Sequence, residues 1–292
     1  SFYFLGKKCI MNKIFNSNIN FIPYLILFIV ISISFFPFFW MISTSLMTIG
    51  ETINRSLVPD TPQWVNYSIT WNEGKFSKYL INSFIITIVS VAGLLITSIL
   101  AAYAFAKINF PGRNFYFFII LSTMMIPEVV TIMPHVLIIR GDVIPLPFGP
   151  SWMNTLRGIT APLMANAFSI FLLRQFFLKF PNELWEAAKM DGCGHLRFLI
   201  TVVMPMSKPI IFTVGLFGFI NAWNSFMWPM IITTTDKWRP LTVGIYSFIT
   251  EAGPDTHLLM AASVISIIPV LIVYFFTQKQ FTDSIATLGI KG

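Results

Sequence analysis

The chain has 292 residues, 55% of them hydrophobic and 11% charged, with a formal net charge of +7 at pH 7. Soluble domains usually carry about 25% charged residues, so a water-solvated globular domain is excluded. The two cysteines are too few for a disulfide framework.

A hydrocarbon core about 30 Å thick needs about 20 mostly apolar residues in a helix. Six stretches meet this: 21–47, 80–106, 115–139, 158–178, 209–232 and 257–277. None alternates as a membrane-barrel strand does, so the fold class expected is an all-α integral membrane protein with six transmembrane helices. The first stretch is longer than a signal-peptide core, lacks a small-residue cleavage site and is expected to be retained. The chain reads as a cytoplasmic N-terminal tail (1–20), one six-helix domain (21–280) and a cytoplasmic C-terminal tail (281–292). Residues 1–10, "SFYFLGKKCI", precede Met11 and read either as an upstream extension or as a misassigned start.

Lysine and arginine counts orient the spans. With both termini inside, twelve of the nineteen Lys and Arg residues fall on inner segments and seven on outer ones. Acidic residues divide the other way, with Glu128 inside a span. The basic balance is thus a positive-inside bias, and nucleic acid is not an expected partner. Cys9 and Cys193 fall on the inner side, where thiols stay reduced.

The first outer connection, with "PDTPQWVNYSITW", reads as a loop folded on the membrane surface with Trp64 and Trp71 as interfacial anchors. The third span contains "MMIPEVVTIMP", where Glu128 stands between Pro127 and Pro134. A charge at the centre of a span costs about 2.5–3.5 kcal/mol on insertion scales. Glu128 therefore either lines a wet pathway in a bent helix or bonds a neighbouring helix as a structural carboxylate. In the fifth span "NAWNSFMWPM" offers Asn221, Trp223 and Asn224, whose aromatic and amide groups suit a sugar. Interhelical bonding for the amides, and an outer-interface position for Trp228, are the alternatives.

Between the fourth and fifth spans stands "PNELWEAAKMDGCGHLRFLITVVMP", Pro181 to Pro205. Pro181 suits a first helical turn, Glu183 and Glu186 suit the positive end of the helix, and Leu184, Trp185 and Ala188 share an apolar face. Gly192 suits a left-handed stop, and Gly194 a second turn. The expectation is a short amphipathic helix beside the membrane, serving either lipid or the groove of a partner.

Catalytic signatures are missing. There is no phosphate loop, no Gly-x-Ser-x-Gly elbow and no metal-ligand spacing among His135, His195 and His257. No enzyme activity, metal or cofactor is expected on this chain.

The stretch "EAAKMDGCGHLRFLITVVMP" resembles the E-A-A-x-x-x-G-x(9)-I-x-L-P loop of the permease subunits of bacterial ABC importers. Glu186, Ala187, Ala188, Gly192 and Pro205 match, with Val202 and Met204 in place of Ile and Leu. "YLINSFIIT", "AAYAFAKINFPGRN", "MIPEVVTIMP", "FLLRQFF", "AWNSFMWP" and "IATLGIKG" resemble the carbohydrate branch, related to the second maltose-permease subunit. The resemblance runs from about residue 20 to the C-terminus.

It implies a type I importer permease fold in the bacterial cytoplasmic membrane. It also implies a second permease subunit, two copies of an ABC ATPase that holds the ATP and Mg, and an extracytoplasmic substrate-binding protein. Within the E-A-A loop (181–209), Glu183, Leu184, Trp185, Glu186, Ala187, Ala188, Asp191 and Gly192 would form the ATPase-coupling helix. Glu186 would be the charged contact, and Ala187 and Ala188 would be small because the ATPase approaches closely. Gly289, Lys291 and Gly292 of the tail would add contacts, unless the tail is simply solvated. Outside, Thr250, Glu251, Ala252, Gly253 and Pro254 would meet the binding protein. The implied cargo is a sugar or oligosaccharide. Glycerol phosphodiesters or a phosphorylated polyol remain an alternative, with little basic lining beyond Arg174. A channel or ion-coupled carrier, needing no ATPase, is the reading from another class.

Overall fold

The computed structural model describes residues 21–147, 150–246, 248–250 and 253–289. Helix α1 (Phe21–Ser45) is apolar throughout and exposes its side chains along most of its length. Lipid tails are as apolar as leucine, so such a helix needs no covering core. Its far end is tied down by polar groups. Ser45 Oγ lies 2.8 Å from the Tyr67 hydroxyl, and Asn66 Nδ2 donates to the carbonyls of Ser45 and Met47 at 2.9 Å each.

The first connection is a folded cap. One-turn helix α2 (Ile49–Ile53) begins in a reciprocal capping box: the Thr48 hydroxyl accepts from the Glu51 amide, and the Glu51 carboxylate accepts from the Thr48 amide. The same carboxylate takes the Asp60 amide at 2.7 Å. Helix α3 (Val65–Glu73) follows, with Trp64 at 70% and Trp71 at 39% exposure.

Helix α4 (Phe76–Lys107) is the central post, 32 residues long, or about 48 Å at 1.5 Å per residue. It packs against α8 (Ala167–Phe177) and α12 (Lys208–Asn224). Its buried face carries Asn82, Ser83, Thr87, Ser90 and Ser98, while Ile88, Ile96 and Leu100 point outward. Small hydroxyls inside and aliphatics outside suit a helix whose solvent is hydrocarbon. Gly218 allows the close crossing with α12, because a Cβ there would stand 2.5 Å from Leu94 Cδ2.

The stretch expected as one span at 115–139 is two helices. Helix α5 (Arg113–Ser122) continues as a 3-10 turn to Met125, and α6 (Glu128–Arg140) departs at 106°. Pro127 is the cause. It forces Ile126 out of the helical region, to ψ 119°, and itself caps α6 at ψ 135°. Hydropathy cannot see this turn, because both arms are apolar. Helix α7 (Leu156–Thr160), extended by the turn Ala161–Met164, meets α8 at the milder angle of 41°. The Asn166 side chain caps α8 through the Ser169 amide at 3.0 Å.

After α8 come α9 (Asn182–Met190), α10 (His195–Phe198), a π turn at Leu199–Val203 and α11 (Met204–Met206). An 85° bend at Ser207 then leads into α12. Residues 209–232, expected as one span, are also interrupted: α12 stops at Asn224, and α13 (Met227–Ile232) restarts after Ser225 and Phe226. Helix α14 (Leu241–Tyr246) and a two-residue hairpin, β1 (Ile249–Thr250) with β2 (Gly253–Pro254), precede α15 (Thr256–Gly289), which packs on α1 and α3. Among the described residues three helices are long and apolar enough to cross a membrane, and up to six spans result if each bent pair counts as one.

Candidate functional site

The loop helix α9 sits at the Lys107 end of α4. Pro181 is its N-cap rather than part of its first turn, and Glu183 lies in that turn, where the helix dipole favours a carboxylate. The C-terminus closes as a Schellman motif: the Cys193 amide reaches the Ala188 carbonyl at 2.9 Å and the Gly192 amide the Lys189 carbonyl at 3.0 Å. Gly192 takes φ +73°, the left-handed conformation this motif requires. Gly194, expected to make a second turn, is extended at φ −81° and ψ 166°, a conformation open to any residue.

The eight residues assigned to this helix do not share one surface. Glu183, Leu184, Glu186, Ala187, Asp191 and Gly192 are exposed, whereas Trp185 and Ala188 turn inward against the core of Tyr103, Leu173, Phe177 and Phe198. Ala188 is therefore small against its own chain and does not face outward, and Trp185 is a root rather than a tip. The indole of Trp185 stacks on the His195 ring with centroids 4.1 Å apart and packs edge-on to Phe198 at 5.2 Å. His195 Nδ1 lies 3.0 Å from the Tyr103 hydroxyl of α4. One turn further along α4, Lys107 Nζ donates to the Phe180 carbonyl at 2.6 Å and to Asn182 Oδ1 at 3.3 Å. Sequence reasoning gave Tyr103 and Lys107 no site role and weighed His195 only as a metal ligand. The i, i+4 spacing of Tyr103 and Lys107 places them on one face of a helix, but nothing local says what that face meets.

Arg174 is engaged inside the bundle. Its Nε donates to the Phe105 carbonyl at 3.1 Å, and its guanidinium lies 4.0 Å over the Phe117 ring. Glu128 is exposed in the first turn of α6, beside the bend that follows Pro127. Asn221 and Asn224 are exposed one helical turn apart on α12. Trp223 faces the other way, 3% exposed, stacked on Phe219 and donating from Nε1 to the Ser266 carbonyl at 3.3 Å. Trp228, expected at an interface, is 7% exposed, and its Nε1 shares its proton between the Gly158 and Ile159 carbonyls at 3.2 Å each.

At the opposite end of α4, Asn82 Nδ2 holds the carbonyls of Lys237 and Arg239, and Ser83 Oγ takes the Leu241 amide. Asn154, in the left-handed region at φ +57°, accepts the amides of Thr234 and Thr235 on one oxygen and donates to the Thr234 hydroxyl. The hairpin pairs Ile249 with Pro254 and Thr250 with Gly253. Phe248 at its base is buried against Phe76. Glu251 and Ala252 lie outside the described residues, as do the N-terminal extension, Cys9, Lys291 and Gly292.

A short amphipathic helix stopped at Gly192 between apolar segments matches the sequence expectation, and its aromatic rooting and the bends beside it are added by the structure. Residues 93–286 match the family described as the binding-protein-dependent transport system inner membrane component. The chain belongs to that family. It is a multi-pass ABC importer permease of type I fold. The sn-glycerol-3-phosphate transport system permease protein UgpE of Yersinia pestis bv. Antiqua is 35% identical over 234 residues, covering 77% of this chain and 80% of that protein. The arabinooligosaccharides transport system permease protein AraQ of Bacillus subtilis is 28% identical over 262 residues, covering 88% of this permease and 90% of the relative. A chain from the crystal structure of a bacterial ABC transporter involved in import of the acidic polysaccharide alginate superimposes with a TM-score of 0.77. It is 26% identical, and the match covers 92% of this permease and 97% of that chain.

Proposed function

We propose that this permease carries a sugar or oligosaccharide across the cytoplasmic membrane, with both termini inside, as half of a pathway completed by a second permease subunit. Two copies of an ABC ATPase bind and hydrolyse ATP with Mg, and an extracytoplasmic binding protein delivers the cargo. The observation that carries this reading is the outward face of α9. Glu183, Glu186 and Ala187 are exposed, with Leu184 and Met190 beside them, on a helix whose other face packs into the bundle through Trp185 and Ala188. A peg of that shape suits a cleft in the ATPase, and closure of the ATPase pair would rock the bundle between inward- and outward-facing states. Asn221 and Asn224 supply amides for sugar hydroxyls on the α12 face, with Glu128 a second polar group on the chain's exposed surface. The segment Thr250, Glu251, Ala252, Gly253 and Pro254 meets the binding protein.

A second reading, an anionic cargo such as a glycerol phosphate, draws on the name of the UgpE relative. It is disfavoured by the placing of Arg174 of α8, which turns into the bundle, donating from Nε to the Phe105 carbonyl and lying over the Phe117 ring.

The test is co-purification from the native membrane of wild type beside Glu186→Lys. Wild type is expected to retrieve an ATPase and a second permease, and the variant to lose the ATPase. The co-purified binding protein is then titrated with arabinooligosaccharides and with sn-glycerol-3-phosphate. Wild type arriving alone, in conditions that keep other importers whole, would overturn the coupling reading. Binding of the phosphate alone would overturn the neutral-sugar cargo.

A further inference from the structure

We infer that Tyr103 and His195 are positioning residues for energy coupling: acting through Trp185, they fasten α9 to α4, so that a displacement of the loop helix is delivered first to the second span. The inference rests on the reading of α9 as the ATPase contact and adds the route by which its motion enters the bundle.

The fastening is double. Lys107 grips the entrance of α9 through the Phe180 carbonyl and Asn182 Oδ1. Tyr103, one turn earlier and 3% exposed, grips its middle indirectly: its hydroxyl meets His195 Nδ1 at 3.0 Å, and the other side of the imidazole carries the Trp185 indole at an interplanar angle of 13°. His195 lies beyond the Gly192 turn, so the stack also closes the loop on itself, α10 against α9. Past Gly192, Cys193 and Gly194 offer only a short backbone link. Without the stack, α9 would be joined to the bundle by its two chain ends, the Lys107 bond to Asn182 and the contacts of Trp185 and Ala188 with the core. Flat rings with two side-chain torsions lose little freedom when held, so they transmit displacement where a lysine or methionine would absorb it. Helix α4 then packs along α12, the helix that carries Asn221 and Asn224. The chain of contact from the peg to the amide-bearing helix is therefore Trp185, His195, Tyr103, α4, α12. Spatial continuity is not coupling by itself, so the fastening has to be tested by motion.

The measurement uses the assembled complex of both permeases, ATPase and binding protein in a bilayer, with Cys9 and Cys193 changed to serine. Spin labels replace Met190, 85% exposed at the end of α9, and Ile96, 60% exposed on α4. Their separation is read without nucleotide and after trapping with ATP and vanadate. In the otherwise native chain the separation is expected to be the same in both states, because α9 and α4 move as one body. Tyr103→Phe, which removes a single oxygen, and His195→Phe, which keeps a ring but no hydrogen bond, are expected to show a shifted or broadened separation on trapping. His195→Asn retains a polar atom near Nδ1 and is expected to restore part of the native behaviour, which a merely space-filling role would not. If Tyr103→Phe tracks the native chain, or if the native separation itself changes on trapping, the inference fails. Glu186→Lys separates the two levels of argument. Loss of ATPase from that variant with no effect of Tyr103→Phe removes only the fastening, whereas full ATPase retention and coupling in Glu186→Lys removes the reading beneath it.

Discussion

The indole of Trp185 lies flat on the imidazole of His195, ring centroids 4.1 Å apart and planes 13° apart. An aromatic pair contributes about 0.5–1.5 kcal/mol beyond the area it buries. The Asp191 amide's bond to the Ala187 carbonyl and the Schellman bonds of the Gly192 and Cys193 amides close the helix that carries this indole. Trp185→Ala is therefore expected to speed amide exchange at those three positions by up to roughly tenfold, the factor that ~1.4 kcal/mol represents. Trp185→Phe, which still stacks, should recover most of the protection. Unchanged exchange in the alanine variant would show that the stack holds nothing.

Gly192 and Gly194 look alike in the sequence and should respond differently. A Cβ at either would meet nothing within 4 Å, but only Gly192 has a positive φ, at +73°. Gly192→Ala is expected to destabilise the permease by about 1 kcal/mol from the left-handed backbone alone, and Gly192→Asn by less, because Asn visits that region more readily. Gly194→Ala should fall within about 0.5 kcal/mol of wild type, as surface changes without strain usually do. Thermal melting in detergent with a lipid-nanodisc control reads both. Equal losses at the two positions would refute the assignment.

One side chain staples the connection after α6 to the connection after α13. Asn154 Oδ1 accepts from Thr234 and Thr235 at 2.7 and 2.9 Å, and Nδ2 donates to the Thr234 hydroxyl at 2.9 Å. Its φ of +57° adds a reason for asparagine. Asn154→Ala removes these bonds and is expected to cost about 2 kcal/mol, at about 0.5–1.5 kcal/mol per bond. Asn154→Asp keeps the acceptor oxygen, loses the donor and should lie between. An alanine variant that melts with wild type would sink the staple.

The bridge from Lys75 to Asp236, 2.5 Å long and shared with Arg239 at 3.3 Å, lies outside the spans. The hydrogen bond from Lys75 holds the Asp236 carboxyl below its ordinary 3.8, and the same bond holds the Lys75 amine above its ordinary 10.5. A depressed acid stabilises fully above its ordinary value and loses that contribution as pH falls through the lower folded value. A raised base stabilises fully below its ordinary value and loses it as pH rises through the higher one. Local order around residues 233–241 should therefore be flat from weakly acidic to weakly alkaline pH. Pepsin cleavage there is expected in wild type only once pH falls below the ordinary carboxylate range, and at higher pH in Asp236→Asn. Exposed bridges add little to global stability, and Asn82 still holds the Lys237 and Arg239 carbonyls, so the melting temperature should not follow. Identical pepsin profiles for the two chains would refute the bridge as the local latch.

Composition and hydropathy by themselves determined the membrane class, the helical fold and the approximate place of the apolar segments, because hydrocarbon solvent imposes a length and a polarity that any reader of the chain can count. The E-A-A spacing determined where the loop helix lies, and Gly192 marked its stop, since a left-handed cap follows from backbone chemistry within six residues. The break at Pro127 left a local trace in its proline, but the 106° between α5 and α6 did not, as both arms are equally apolar. The tertiary structure alone decided that Trp185 and Ala188 turn inward, that Trp223 faces away from Asn221 and Asn224, and that Arg174 turns in to the Phe105 carbonyl and the Phe117 ring. It alone brought His195 to Tyr103, 92 residues apart in the chain. Periodicity tells which residues share a face. Which neighbour that face meets depends on helix crossings fixed by long-range packing, and those have no signature in any short window of sequence.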